Sequence, residues 1–366
     1  MSTTTTRIGP AIGTARIAGD AALDRLADAG YEDLLDACGP ADPLRRLGWL
    51  RAWRRTAGRD VEPRTVLVDR DRALVAAAPL EAARRGGLVI VRHLAHADAW
   101  FDPAPPARDE EARLELLRAV AAEPGDVLLL DGLPATPEWS RAVADAVPGA
   151  RLAERPPAWR LTLAEPPRSM RKRRKEAGRS RRRAAERGVS LSTTVARAWE
   201  EIAPRLDDLL AFQHRNFPGP EPNQLAAPGP RRELARAGIA ALGGEGRARL
   251  VEVRDGAGAL AAFDLALVDG AGAVAYAGAF DRARDDVDGL GWISMLSLVE
   301  VLGEEGVEVV DFGAGPAAYK DLIAVPVPLV RAVAPRSRRG RATLAGHALA
   351  AWTRAAVARA RARGRA

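Results

Sequence analysis

The chain has 366 residues, is 47% hydrophobic and 28% charged, and carries a formal net charge of +7. At about 150 residues per domain, this length predicts two domains with enough apolar mass for ordinary cores, which excludes a disordered chain. The single cysteine, Cys38, excludes an internal disulfide framework and a cysteine metal cluster, and no apolar run reaches the roughly 18 residues of a transmembrane helix.

The charge is uneven. Residues 168–187 hold eleven Arg or Lys against two Glu, and residues 331–366 hold ten Arg and no acid, which leaves the rest at −12. The protein therefore reads as an acidic body with two basic segments. Only Lys172, Lys175 and Lys320 are lysines, so arginine abundance reflects compositional bias and is a weak functional guide. The histidines His93, His96, His214 and His347 show no metal-site spacing, and no metal is expected. The opening MSTTTTRIGP lacks an apolar signal core, so the reading is cytoplasmic.

In chain order, residues 1–12 read as loose. Ala21–Ala37 reads as one helix. Asp42 caps a second helix through Arg55, with Pro43 at its first position. Arg64–Val68 and Ala73–Ala78 form a hairpin about Asp69–Arg72, and Leu88–Leu94 is a third strand. Glu110–Ala122 is helical, Asp126–Asp131 a strand, Ser140–Ala146 a short helix and Trp159–Leu163 a strand. After Pro166-Pro167 comes a very basic helix, RSMRKRRKEAGRSRRRAAERG, ending at Gly188. It is either a solvated surface helix or an anion-binding arm.

The second half is clearer. Arg197–Asn216 and Arg231–Leu242 are helices, followed by an antiparallel meander of Ala248–Arg254, Leu260–Val268 and Ala273–Phe280. A loop leads to Gly289-Leu290-Gly291, the helix Trp292–Glu305 and the strand Val307–Phe312. A short helix carries Tyr319 and Lys320, Val325–Val333 is the last strand, and Thr343–Arg363 is an amphipathic tail helix.

Two motifs fail their context. Asp311-Phe312-Gly313 matches a kinase metal-binding triplet, but no glycine-rich loop, strand lysine or H-R-D segment precedes it. Gly289-Leu290-Gly291 lacks the third glycine of a dinucleotide fingerprint, and neither a Walker loop nor a Gly-x-Ser-x-Gly elbow occurs.

The segments GAFDRARDDVDGLGWISMLSLVE and VVDFGAGPAAYKDL, with the basic residues before them, resemble the acetyltransferase domain of the cellulose-biosynthesis-associated and FemAB-like GNAT proteins. The matching features are Phe280-Asp281 after the third strand, the loop Gly289–Gly291, and Asp311-Phe312-Gly313-Ala314-Gly315 with Tyr319-Lys320. The loop reads Asp288-Gly289 where the family has Pro-Gly. DPLRRLGWLRAW and the strand pair ending Ala78-Pro79-Leu80 extend the resemblance over Asp42 to Val330. It implies an α/β fold of two tandem GNAT-like lobes, with mixed, mostly antiparallel sheets flanked by helices and a degenerate N-terminal lobe. The implied divisions are 13–165 for that lobe, 166–190 for the basic inter-lobe helix, 191–333 for the acyltransferase lobe and 334–366 for the basic tail.

The implied activity is N-acyl transfer from acetyl-CoA or another acyl-CoA to the amine of a small molecule or cell-envelope precursor. A helix N-terminus with close-approaching glycines suits a pyrophosphate. This places Gly289, Leu290, Gly291 and Trp292 at the cofactor, with Arg282, Arg284 and Lys320 adding charge, although Asp285, Asp286 and Asp288 crowd the same loop. The strand segment Ala277–Phe280, with Ala279 and Phe280 at the cofactor, offers backbone N–H groups to the thioester oxygen. Tyr319 corresponds to the family's proton donor to the departing thiolate. Candidate bases are Asp264, which interrupts an apolar strand, Asp311 and His214; His214 also stands as a substrate-binding candidate. Tyr276 on the neighbouring strand is expected to share the Asp264 cleft.

Two alternatives stand beside this reading. One is a FemAB-type aminoacyltransferase using tRNA through Arg168–Arg187, with no DNA partner expected. The other is a catalytically silent scaffold. The tail, residues 331–366, is expected to make a peripheral contact with an anionic membrane face or a protein partner.

Overall fold

The computed structural model describes residues 12–39, 42–95, 104–218, 229–315 and 317–346. The first half comprises β1 (Ile12–Ala18), α1 (Ala22–Asp28), α2 (Tyr31–Ala37), α3 (Leu47–Arg55), β2 (Glu62–Arg70), β3 (Ala73–Arg85), β4 (Leu88–His93), α4 (Glu110–Ala121), β5 (Val127–Pro134), α5 (Pro137–Ala146) and β6 (Arg151–Thr162). The basic helix α6 (Arg168–Glu186) joins it to β7 (Leu191–Ala196), α7 (Trp199–Ile202), α8 (Leu206–Asn216), α9 (Pro230–Gly244), β8 (Ala248–Asp255), β9 (Leu260–Asp269), β10 (Gly272–Phe280), α10 (Leu290–Glu304), β11 (Val309–Ala314) and β12 (Val325–Pro335).

All twelve strands form one sheet in the order β1-β2-β3-β4-β5-β12-β6-β11-β10-β9-β8-β7. Each half contributes an antiparallel meander, a helix crossover and a parallel strand. Thus β4 pairs with β5 through Ile90–Val127, and β10 with β11 through Gly272–Val309. The halves are interlocked, because β12 lies between β5 and β6, and β6 lies between β12 and β11. Each half's sheet is thereby completed by the last strand of the other.

Alternation along the strands divides the core. On β9, Phe263, Leu265 and Leu267 enter a core shared with α1–α3, α8 and α9, whereas Ala262, Ala266 and Val268 meet α10 and α6 on the opposite face. A third core packs α4 and α5 on β2–β5.

Several boundaries differ from the sequence reading. The helix expected over Ala21–Ala37 breaks at Gly30, whose φ of 82° is the left-handed conformation that glycine adopts freely. The helix expected from Asp42 breaks at Arg46, which is extended; Asp42 caps only the short 3₁₀ turn Pro43–Arg45. Arg197–Asn216 contains a 3₁₀ turn at Ala203–Arg205, where Pro204 lacks the N–H of a continuous helix. Strand β7 was not expected, since LSTTVA alternates around small polar residues. Tyr319 and Lys320 open only a 3₁₀ turn, Lys320–Leu322. A helix spans 338–346, starting before the expected Thr343, and the rest of the tail expectation lies outside the described residues, as do His96, His347 and nearly all of the N-terminal segment.

Candidate active site

Parallel pairing of β10 with β11 stops at Val274–Asp311, and from there to Phe280 β10 stays paired with β9 but has no partner on the β11 side, which leaves a gap between the two strands. A bulge at Tyr276 shifts its register against β9, so that Gly278 comes opposite Asp264. A Cβ on Gly278 would stand 2.2 Å from Asp264 Oδ1, so only glycine leaves room for this carboxyl.

Asp264 accepts a hydrogen bond from Ser294 Oγ of α10 at 2.5 Å. Burial pushes its carboxyl up to about 7, and the Ser294 bond only partly offsets that rise. Tyr319 sits across the gap, edge-on to Phe312 at 6.2 Å. Its phenol is pushed up to about 12, first by burial and then by the nearby Asp264 charge. The Phe280 and Tyr319 side chains both remain partly open to solvent. The Phe280 ring lies against Gly291, where an added Cβ would meet it at 2.7 Å.

The N-terminus of α10 is open. Its N-cap is Gly289 at φ 73°, no side chain caps it, and its first turn has no acid. The equivalent helix of the first half, α4, is closed by Asp109, which accepts from Ala112 N and pairs with Arg70. A cavity of about 710 Å³ adjoins the open end, lined by Gly289, Asp288 and Trp292 and, from α6, by Arg173, Arg179, Arg182 and Arg183 together with Glu176 and Glu186. Arg173 pairs with Glu176 and lies over the Trp292 ring. Arg179, Arg182 and Arg183 are exposed toward the cavity, and the structure gives them no carboxylate partner among the described residues. Helix α6 therefore brings cations to the helix end where free N–H groups already favour an anion. The charge run was visible in sequence, but its contact with α10 is a long-range packing fact: Met170, Ala177 and Ala184 bury one stripe of α6 in the core shared with α10.

Other predicted residues do different work. Arg284 is held by Asp286 and Asp255, which raise its pKa and remove it as a phosphate ligand. These pairs also turn one of the loop's carboxylates, Asp286, to structural use. Lys320 is buried and donates to the Gly313 carbonyl at 3.0 Å, with longer contacts to those of Ala314 and Gly315. It fastens the turn after β11 instead of meeting phosphate, and burial lowers its pKa. Asp311 accepts from Arg160 Nε at 2.9 Å and from Gly313 N at 2.7 Å, so it organises the same turn and is not placed as a base. Alternation from Val274 puts Tyr276 on the face opposite Asp264, where it meets Trp49 edge-on at 5.1 Å; it does not share the cleft. His214 is half-exposed in the last turn of α8. Arg282 is exposed, lies over the Phe217 ring and donates its backbone N–H to Asn216.

Sequence reasoning passed over Ser294, Gly278 and Gln213. The signal for Ser294 was a hydroxyl within the apolar run WISMLSLV. Among the described residues, no group of three or more His, Cys, Asp or Glu is placed to hold a metal, and no helix is long and apolar enough to cross a membrane.

Comparison with known proteins agrees with this topology. The fold is similar to FemX (12% identity, 86% of this chain and 96% of that one, TM-score 0.57). It is also similar to L-PGS from Bacillus licheniformis (14%, 84% and 91%, TM-score 0.52). A third likeness is to a conserved protein of unknown function from Bacteroides thetaiotaomicron (10%, 85% and 97%, TM-score 0.55). At these identities the likeness is one of fold. No curated protein matches the chain significantly in sequence. Residues 171–321, from the basic helix to the turn after β11, match the acetyltransferase (GNAT) domain family, and this part of the chain carries a GNAT-type fold.

Proposed function

We propose that the chain is an acyl-CoA-dependent N-acyltransferase. It moves an acyl group, acetyl in the simplest case, to the amine of a small molecule or cell-envelope precursor. The observation that carries this reading is the cationic cavity at the uncapped start of α10, beside the unpaired end of β10 and one helical turn from Ser294 and its Asp264 partner.

The residues fit the cofactor by their chemistry. The α10 N-terminus and Arg179, Arg182 and Arg183 suit the phosphates, and the Phe280 and Tyr319 rings suit an apolar arm in the gap. Acyl-CoA supplies an activated thioester. Asp264, with its carboxyl near 7, accepts the proton that the amine loses as the new C–N bond forms and the C–S bond breaks. The Tyr319 hydroxyl, whose pKa is pushed up to about 12, stays protonated at neutral pH and donates to the departing sulfur.

The test is thiol release from acetyl-CoA with a panel of small amines and amino sugars, alongside tRNA binding at low salt. Amine-dependent release supports the reading. Saturable tRNA binding without thiol release transfers it to aminoacyl-tRNA chemistry, in which the arginines of α6 meet nucleic-acid phosphates. Converting Arg179, Arg182 and Arg183 together to Gln is expected to weaken acetyl-CoA binding about tenfold, through lost charge-assisted contacts, while turnover at saturation is kept. Titration calorimetry and a KM-against-kcat comparison check this.

A further inference from the structure

Gln213 is 4% exposed on α8. Its Nε2 donates to the Gly278 carbonyl at 3.2 Å, while its Oε1 is shut away from solvent with no hydrogen-bond partner among the described residues. A buried amide oxygen without a donor is a cost that a leucine or methionine of similar size would not carry. The donor end must therefore account for a glutamine at this position.

The recipient of that bond locates the role. Gly278 lies beyond the last β10–β11 pair and opposite Asp264. In the ladder Ala277 and Ala279 face β9, and Asp281 N donates to Ala261 O at 2.8 Å. Alternation therefore turns the N–H and C=O groups of Gly278 and Phe280 toward the gap. Such an edge presents both signs. A thioester oxygen gains negative charge during acyl transfer, so the N–H groups favour it and a bare carbonyl beside them repels it.

We infer that Gln213 is a positioning residue that draws the Gly278 carbonyl out of the gap. It leaves a strand edge of donors, the N–H groups of Gly278 and Phe280, for the oxygen of an acyl thioester. The inference rests on the acyltransferase reading above. Gln213 comes from the face opposite α10, so the two helices serve the gap from opposite sides, α10 holding Asp264 through Ser294 and α8 holding the peptide facing it.

The full chain carrying Gln213→Leu tests this by titration with CoA and with acetyl-CoA, by thiol release from acetyl-CoA with water as acceptor, and by thermal unfolding. CoA affinity is expected to be unchanged, because the phosphates lie elsewhere. The preference for acetyl-CoA over CoA falls, thiol release drops about tenfold or more, and the unfolding midpoint stays or rises because the bare oxygen is gone. Unchanged thiol release, or a lowered midpoint with a matching loss of CoA affinity, would overturn the inference. Failure of the unsubstituted chain to bind acetyl-CoA would instead remove the acyltransferase reading itself.

Discussion

Replacing Asp264 by asparagine lowers amine-dependent turnover by about two to four orders of magnitude, the range over which a positioned general base acts. The substitution keeps the volume and an oxygen for the Ser294 hydroxyl, so the cleft retains its shape. In the unsubstituted chain, kcat/KM rises with pH through about 7 and then levels, as the buried carboxyl ionises. In the variant that limb is absent. Stability moves the other way. Because its folded pKa is raised, Asp264 binds a proton in the folded state that the unfolded chain has already released between the ordinary carboxylate range and about 7. Its contribution is complete below that window and is lost as pH rises through 7. Asp264→Asn is therefore more stable than the parent above pH 7 and gains nothing in acid. Unfolding midpoints at pH 5 and pH 8 check the sign. A carboxylate kept only for folding would give a less stable variant at pH 8.

The second large effect is on stability. Arg46 is buried at the break between the 3₁₀ turn and α3. It forks onto Asp269 with Nε at 2.7 Å and Nη2 at 2.5 Å, and it also reaches Glu32 at 2.5 Å and Asp36. Asp269, at the β9 end of the β9–β10 turn, is 2% exposed and is also held by Arg247. One guanidinium thus ties α2 of the first half to the hairpin that carries Asp264 and Gly278. Arg46→Met leaves Asp269 buried with half its partners and Glu32 without its cation, and costs about 3–5 kcal/mol. Urea unfolding measures it as a lowered midpoint at constant slope. A change below 1 kcal/mol would mean that the cluster relaxes into water. Lysine does not rescue, because a point charge cannot reproduce the fork onto Asp269.

Local signals in the sequence were enough for the meander, the crossover helices and the tandem order. Asp264 stood out because a carboxylate inside an apolar strand needs a reason, and Gly289 because a glycine opens a helix just after a loop. What the sequence could not show depends on packing between distant segments. The run in α6 reads as charge alone, and only its buried stripe of Met170, Ala177 and Ala184 turns Arg179, Arg182 and Arg183 toward α10. The bulge at Tyr276 defeats simple alternation: Tyr276 and Ala277 both enter the same core, and Gly278 is carried to the face of Asp264. Lys320 drew attention by being a lysine among arginines. The compact ammonium does matter, but for backbone carbonyls in a buried turn. Gln213 had no signal at all, since a polar residue on a helix is ordinary until its partner on β10 is known.

The central claim is that the open α10 N-terminus and the α6 arginines form the seat of an acyl-CoA. It is tested most directly by calorimetric titration of the full chain with acetyl-CoA at low and moderate salt, with 3′,5′-ADP as competitor. The expected result is one saturable site per chain, weakened by salt, competed by 3′,5′-ADP and impaired when Arg179, Arg182 and Arg183 are changed to Gln. Absence of binding at low salt, or binding unaffected by both the competitor and the triple substitution, would contradict it.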